Sequence, residues 1–286
     1  MVTHSRKAFG NKVAPGVMHW GFGVTAITIM AAAAGSVSYA DDLRGVLTIA
    51  GRGPELPVIE ALAKTFEKSH LGTAIELKWN KNYHLSDMVR EGEADLAVTG
   101  QSEPGMTATT VAWDGLAVVV NFSNPIKEVK KSDVAALFSG KIRNWSELDE
   151  NAAGKVRLVV RPDDQNLNHG FEESLGIVGN VPRDSERARS DQKLLSRVVG
   201  QLDAVGYLSL HAASEAVKYG TSVRILIVDG VDPGAPTIRS GAYQLKRPVI
   251  FLTKEQASPL AQAFVQFVLS PTGRQIIERT YVFPSQ

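Results

Sequence analysis

The fold is decided by residues 113–147, which contain Trp113-Asp114-Gly115-Leu116-Ala117-Val118-Val119-Val120-Asn121, Ser123-Asn124-Pro125, Leu137-Phe138-Ser139-Gly140-Lys141-Ile142 and Asn144-Trp145-Ser146-Glu147. The five apolar residues 116–120 predict a strand that is buried on both faces. Val134, Leu137 and Phe138 then share one face of a predicted short helix. The segment ends with a Gly-Lys turn and with Trp145, which we expect to be exposed.

Strands and helices alternate on both sides of this segment. Upstream, apolar runs that predict strands alternate with helical patterns at 47–49, 59–66, 74–77, 83–91 and 95–98. Downstream, predicted strands lie at 156–160, 205–208, 223–228 and 248–253, and two helices close the chain. This alternation predicts an α/β architecture with a mostly parallel sheet covered by helices. Because the pattern restarts after residue 122, it suggests two α/β lobes.

Composition and the N-terminal residues indicate an exported protein. The net charge is +1 over 286 residues, which gives no broad basic footprint for nucleic acid. Residues 1–40 combine a sparse basic start, an apolar run at 21–34 and the small residues of Ser38-Tyr39-Ala40, as in a cleaved signal peptide. An uncleaved membrane anchor is the alternative. Cysteine is absent, which excludes disulfides and a lipid-anchored lipoprotein. We expect a soluble periplasmic or secreted protein.

Several further motifs follow one another farther along the chain. They are Val205-Gly206-Tyr207-Leu208, Tyr243-Gln244-Leu245-Lys246-Arg247-Pro248, Ala263-Phe264 with Phe267, and Leu269-Ser270-Pro271 with Gly273. Together with residues 113–147, they resemble the phosphate-binding-protein family, the periplasmic receptors of ABC-type phosphate importers. The resemblance covers about residues 46–284.

The resemblance implies a type II periplasmic-binding-protein fold, with two α/β lobes joined by two crossing hinge strands. Lobe 1 would be discontinuous, formed by residues 45–121 and 246–286, and lobe 2 would be 122–245. A small anion such as phosphate would lie in the cleft between the lobes, which close around it. The partner would be an ABC permease or a membrane sensor, and the protein itself would be a monomer.

The same resemblance places the ligand at three strand-to-helix loops, over residues 51–56, 99–102 and 161–169. Helix N-termini and an arginine can supply the donors that a dehydrated oxyanion needs. The candidate ligand-binding residues are Arg52, Gly53, Gln101, Ser102, Arg161, Gln165, Asn166 and Leu167.

The loops depart from the family pattern. Where the family has a threonine or serine after the first glycine, this chain has Gly53 and Pro54. In the third loop Arg161 is kept, but the family's Ser-Gly-Thr is replaced by residues 165–167, Gln-Asn-Leu, and Asp163 and Asp164 lie beside the arginine. Three hypotheses stay open: a phosphate-like oxyanion, a different zwitterionic or neutral solute, or a sensor or protein-interaction module that binds no small molecule.

The sequence lacks the catalytic motifs that would support an enzyme function. The sequence contains neither a Gly-x-Ser-x-Gly elbow nor a His-Glu-x-x-His zinc motif, so we expect no catalytic residues, no metal and no cofactor. His169 lies in the third loop and either lines the cleft or is simply a histidine at a helix start.

Overall fold

The computed structural model describes residues 43–162 and 166–284. The signal peptide predicted at residues 1–40 lies outside this part of the chain, as do Asp163, Asp164 and Gln165. Within the described part, no helix combines the length and apolarity that crossing a membrane requires.

The described strands and helices follow the predicted alternation. The strands are β1 Gly45–Gly51, β2 Thr73–Trp79, β3 Leu96–Thr99, β4 Met106–Asn121, β5 Glu128–Val129, β6 Arg157–Val160, β7 Glu186–Arg187, β8 Ala204–Ser209, β9 Val223–Ile225, β10 Ile227–Val228 and β11 Lys246–Lys254. The helices are α1 Leu56–Ser69, α2 Leu85–Glu91, α3 Lys131–Phe138, α4 Asn166–Leu175, α5 Asp191–Gly200, α6 Leu210–Lys218, α7 Ala235–Ser240, α8 Pro259–Leu269 and α9 Pro271–Ile277. A short 3-10 turn occupies Trp145–Glu147.

Local sequence explains where several helices begin and end. The α2 helix stops at Gly92, whose φ of 82° is the left-handed conformation that glycine adopts without steric cost. Ser258 caps α8 by accepting a hydrogen bond from the N–H of Ala261, and Ser270 caps α9 by accepting one from Gly273. In both helices a proline follows the cap, where its missing N–H costs nothing.

A single long strand, β4, lies in the middle of the main sheet, whose strand order is β2-β1-β3-β11-β4-β8-β6-β7, with β9 also paired to β4. Residues 106–115 of β4 pair antiparallel with β11, and residues 116–120 pair antiparallel with β8. We call β1, β2, β3, β11 and residues 106–115 the first half of the sheet. Residues 116–121 with β6, β7, β8 and β9 are the second half. The pairing partner of β4 therefore changes between Gly115 and Leu116.

The two halves have separate cores, and each half is covered on both faces. In the second half, Leu116 and Val118 pack into one hydrophobic cluster and Ala117 and Val119 into another, on the opposite face. The strand predicted to be buried on both faces is thus confirmed. The first half repeats this arrangement around β1 and β3. This is the layered packing expected for a sheet with helices on both sides.

Trp145 was expected to be exposed, and this prediction is wrong. Its side chain is 1% exposed and lies in the core of the second half. Its indole N–H donates a hydrogen bond to the backbone carbonyl of Asp203 at 3.0 Å. The indole fits the core because its one polar atom has a partner there.

Candidate functional site

Two loops of the first half face α4, which packs on the second half. β1 and β3 are parallel neighbours, so the loops that follow them leave the same edge of the sheet. Arg52 Nε donates a hydrogen bond to Asn166 Oδ1 at 3.1 Å. Nε2 of Gln101 lies 2.5 Å from Nε2 of His169. Residues of all three predicted loops therefore meet, as expected at the carboxyl ends of strands in an α/β sheet.

Gly53 lies where the first loop packs closely against α4. A Cβ atom at position 53 would lie 2.1 Å from Oε2 of Glu55 and 3.1 Å from Nδ2 of Asn166. Both neighbours are nearly inaccessible to solvent, at 1% exposed for Glu55 and 5% for Asn166. A side chain here would force one of them to move, so glycine keeps the first loop and α4 close together.

A buried network of charges lies directly behind these loops. Arg247, in β11, is 1% exposed and lies 2.7 Å from Glu55 Oε1 through Nη1 and 2.8 Å from Asp114 Oδ2 through Nη2. Ser209 donates a hydrogen bond from its hydroxyl to Asp114 Oδ1 at 2.6 Å. The network joins the start of α1, the middle of β4 and the end of β8 through one arginine. We call Glu55, Arg247 and Asp114 the buried triad.

The triad contains one cation and two carboxylates, and its pKa values reflect this composition. Burial raises the pKa of Asp114 above its ordinary value, and the positive charge of Arg247 opposes that effect. Burial alone would lower the pKa of Arg247, but the carboxylates of Glu55 and Asp114 outweigh it and raise the pKa. Arg247 is therefore charged throughout the accessible pH range, and the two acids compete for it.

Several polar atoms in this region have no hydrogen-bond partner among the described residues. They are Oε2 of Glu55, Nδ2 of Asn166 and, in the third loop, Nε of Arg161. Oε1 of Glu55 and Nη1 of Arg247, 2.7 Å apart, satisfy each other as a buried ion pair. Unpaired buried polar atoms are uncommon, because each costs about 1–3 kcal/mol when it loses water without replacement. Their concentration around α1, α4 and the third loop makes this region the candidate binding site.

The N-terminus of α1 offers few free donors to an anion. Pro54 and Pro57 have no backbone N–H at all. The N–H groups of Val58 and Ile59 both donate to the carbonyl oxygen of Glu55, at 3.1 and 3.0 Å. Glu55 itself is the residue that caps this helix, and its side chain makes no capping hydrogen bond. A negative charge is thus already present at the end of the helix that would otherwise attract an anion.

The side chain of Arg161 is directed at Asp191, at the start of α5. Its Nη2 forms an ion pair with Asp191 Oδ1, and Nη1 lies 3.5 Å from the carbonyl oxygen of Ala188. Burial lowers the pKa of Arg161 below its ordinary value. The positive charge of Arg161, which the resemblance assigns to binding an anion, is therefore paired with a carboxylate of the second half.

The remaining candidate residues lie in different environments. The Leu167 side chain packs in the core of the second half. Ser102 is exposed in the second loop. Asn168 lies inside α4 and accepts a hydrogen bond from the Tyr207 hydroxyl at 2.5 Å. Gln165 lies outside the described residues.

Sequence reasoning missed the buried triad. Asp114 and Arg247 each interrupt a buried strand with a charge, which is a signal that two such residues are paired. Glu55 gave no comparable signal, because a glutamate at the start of a helix is ordinarily exposed. No group of three or more potential metal ligands lies within residues 43–162 and 166–284.

Comparison with known proteins gives consistent results. A sequence model of the PBP superfamily domain matches residues 30–272. The phosphate-binding protein PstS of Bacillus subtilis is 26% identical over 234 residues, which are 79% of this chain and 76% of that protein. For the PstS protein of Staphylococcus epidermidis, the identity is also 26%, over 60% of this chain and 54% of that protein.

Solved structures extend the similarity to the three-dimensional level. An ABC-type phosphate transport receptor from Vibrio cholerae superposes with a TM-score of 0.74 at 24% identity, over 83% of this chain and 100% of that one. PstS from Borrelia burgdorferi superposes with a TM-score of 0.67 at 18% identity, over 85% of this chain and 100% of that one. At sequence identities of 18% and 24%, this structural similarity is evidence for the fold alone.

Proposed function

This chain belongs to the PBP superfamily and has the type II periplasmic-binding-protein fold, and on that premise we propose that it is an extracytoplasmic solute-binding protein. It closes two lobes around a small solute and presents that solute to an ABC permease or a membrane sensor. The proposal assigns it no catalytic step, since its named relatives are binding proteins. We propose that the lobes divide between Gly115 and Leu116, where the pairing partner of β4 changes, and not after residue 121, with the segment from 246 onward in the first lobe.

The observation that carries the proposal is the pair of contacts between the first half and α4. Arg52 with Asn166 and Gln101 with His169 bring polar side chains of both halves together at one edge of the sheet. A solute held here touches both lobes at once, so binding favours the closed form over the open form. Hinge closure of this kind is the working motion of two-lobed binding proteins.

A polar solute without net negative charge fits this site best. Gln101 and Asn166 supply amide groups that both donate and accept, and Oε2 of Glu55 adds an acceptor with no hydrogen-bond partner among the described residues. A zwitterionic or neutral solute uses donors and acceptors together, whereas a fully deprotonated oxyanion uses donors alone. The charges of the site therefore favour the former.

A phosphate-like oxyanion is the second candidate, and Arg52 favours it. Arg52 is partly exposed beside the first loop, where its guanidinium can take a bidentate oxyanion. Relatives of this chain carry the name phosphate-binding protein. Against this candidate stand Glu55 in the first loop and the ion pair that engages Arg161.

A ligand screen by thermal shift tests the proposal. The mature protein is melted with inorganic phosphate, sulfate, amino acids and polyols, and hits are measured by titration calorimetry. Binding to the folded state raises the melting temperature by mass action, so a solute at 100 times its Kd adds about 2.7 kcal/mol to the free energy of unfolding. We expect a hit among uncharged or zwitterionic solutes. A screen in which no solute shifts the melt would leave the ligand-free interaction module as the better account.

A further inference from the structure

An apolar groove lies between α5 and α6, on the outside of the second half. Tyr219, which follows the last residue of α6, is 76% exposed, and Val199, in the last turn of α5, is 38% exposed. Both line the groove together with the half-buried Leu195. Single exposed apolar residues are ordinary on a protein surface, but a contiguous set is typical of an interaction surface.

Small residues leave room in this groove for another helix. Ser196 and Gly200 line it from α5, and Ala212 and Ala216 line it from α6. In each pair the two residues are four apart, so they lie on the same face of their helix. Each helix therefore presents a low strip to the gap, with Tyr219 at one end. This is the form of a groove that receives the apolar face of an amphipathic helix.

The groove itself carries almost no net charge. Glu215 is the one charged residue among the described residues that line it. Its carboxylate forms an ion pair with Nζ of Lys218 at 3.1 Å, on the same helix. An occupant of the groove therefore needs apolar side chains there and no charged group.

The other flank of α5 is cationic. A second groove on that flank is lined by Arg187, Arg189, Lys193 and Arg197. The two grooves share a line of residues along α5, which are Gln192, Ser196 and Gly200. Arg197 pairs with Glu186 at 2.9 Å, whereas Lys193 and Arg189 have no ion pair among the described residues. Helix α5 thus separates an apolar strip from a strip with excess positive charge.

We propose that an amphipathic helix of a protein partner docks along α5, with its apolar face in the groove and an acidic edge against Lys193 and Arg189. Complementary charge beside an apolar contact fixes the register and orientation of such a helix. The groove residues are distinct from the candidate ligand-binding residues, so the proposal goes beyond solute binding and does not depend on which solute is bound.

Two other occupants fit this surface less well. A second copy of the chain, paired through the same surface by a two-fold axis, would bring Lys193 and Arg189 close to their own copies. An anionic membrane would need apolar side chains that protrude into the lipid, whereas the small residues of this groove lie in a concave surface. A helix with an acidic edge satisfies both the shape and the charge.

Two synthetic peptides of about 16 residues are the probes, since shorter helices are marginal in water. One carries leucines at helical spacing and glutamates along the adjacent edge, and the matched peptide carries lysine in place of each glutamate. Each is labelled with a fluorophore, and its binding to the mature protein is measured by fluorescence anisotropy.

Four exposed positions supply the variants and their controls. Val199→Asp changes the groove, and Lys193→Glu changes the cationic strip. Val217→Asp is the control for the first, because Val217 is 44% exposed on α6 and is not among the residues that line the groove. Lys64→Glu, at an exposed position of α1, is the control for the second. Circular dichroism checks that all four variants are folded.

We expect the glutamate peptide to bind wild type at least about tenfold more tightly than the lysine peptide, and added salt to weaken it. Val199→Asp and Lys193→Glu should each weaken the glutamate peptide by about tenfold or more, because each removes one part of the bipartite contact. The two control variants should stay within about twofold of wild type.

Several outcomes would overturn the proposal. They are no binding of either peptide, equal binding of both, and equal effects of Val199→Asp and Val217→Asp. Sedimentation velocity would identify a second copy as the occupant if it shows a dimer that Val199→Asp dissociates. Vesicles of phosphatidylglycerol would identify a membrane if they bind wild type but not Val199→Asp, and neither peptide binds. Peptide binding without any hit in the solute screen would leave the docking surface standing while the proposed solute-binding function fails.

Discussion

Replacing Arg247 with methionine removes the cation that holds the buried triad together. The methionine side chain fills a similar length of space without the charge. Glu55 and Asp114, each 1% exposed, would then face each other without a counter-ion. The substitution therefore isolates the electrostatic role of the arginine from its packing.

The expected cost follows from the burial of all three residues. Breaking a buried ion pair by removing one partner costs about 3–5 kcal/mol, because the remaining charge is left without compensation. For a protein of this size, about 2–4 °C of melting temperature corresponds to each kcal/mol, so the melt should fall by roughly 6–20 °C. Arg90→Met is the matched control, since Arg90 pairs with Asp87 at the surface and should lose less than about 1 kcal/mol.

Urea unfolding of the variants, followed by circular dichroism, measures these differences. In the Arg247→Met background, a second substitution of Glu55→Gln should recover stability, because it neutralises one of the two abandoned carboxylates. In the wild-type background, the same Glu55→Gln change should not stabilise. The reasoning is refuted if Arg247→Met costs no more than Arg90→Met, or if Glu55→Gln has the same effect in both backgrounds.

Three other substitutions probe the packing and the charges. Trp145→Ala should destabilise by about 3–5 kcal/mol in urea melts, because the indole is buried in the second core; a loss below 1 kcal/mol would contradict this. Gly170→Ala should cost about 1–3 kcal/mol, since its Cβ would lie 2.7 Å from the Cβ of Arg247, whereas Gly200→Ala has nothing within 4 Å and should be neutral or slightly stabilising. Because the pKa of Asp114 is raised in the fold, this carboxyl contributes stability below its ordinary pKa of 3.8 and loses it as pH rises through the raised value. Wild type should therefore be more stable relative to Asp114→Asn at pH of about 4 than at about 7, and a pH-independent difference would count against the raised pKa.

Much of the fold could be predicted from local patterns. The apolar run 116–120 indicated a strand buried on both faces, and each face of it enters a separate core. The helical pattern at 83–91 indicated α2, which ends at Gly92, where the chain adopts a left-handed conformation. These predictions succeed because strand periodicity and helix caps depend on residues that are close in sequence.

The environment of single side chains could not be predicted in the same way. Trp145 lies in a short polar segment, Asn144 to Glu147, that is typical of a surface turn. Its burial depends on the carbonyl of Asp203, which reaches it from a distant part of the chain. Local composition carries no information about such a partner.

The sequence alone determined the α/β class and the order of the elements, and its family resemblance indicated the three loops proposed to carry the site. Tertiary structure decided which side chains meet at those loops. Glu55, Asp114 and Arg247 lie in three different elements, and only the folded sheet brings their side chains together. A buried charge is set by every neighbour that replaces its water, and those neighbours come from across the chain. The charge of the cleft is therefore a property of the fold.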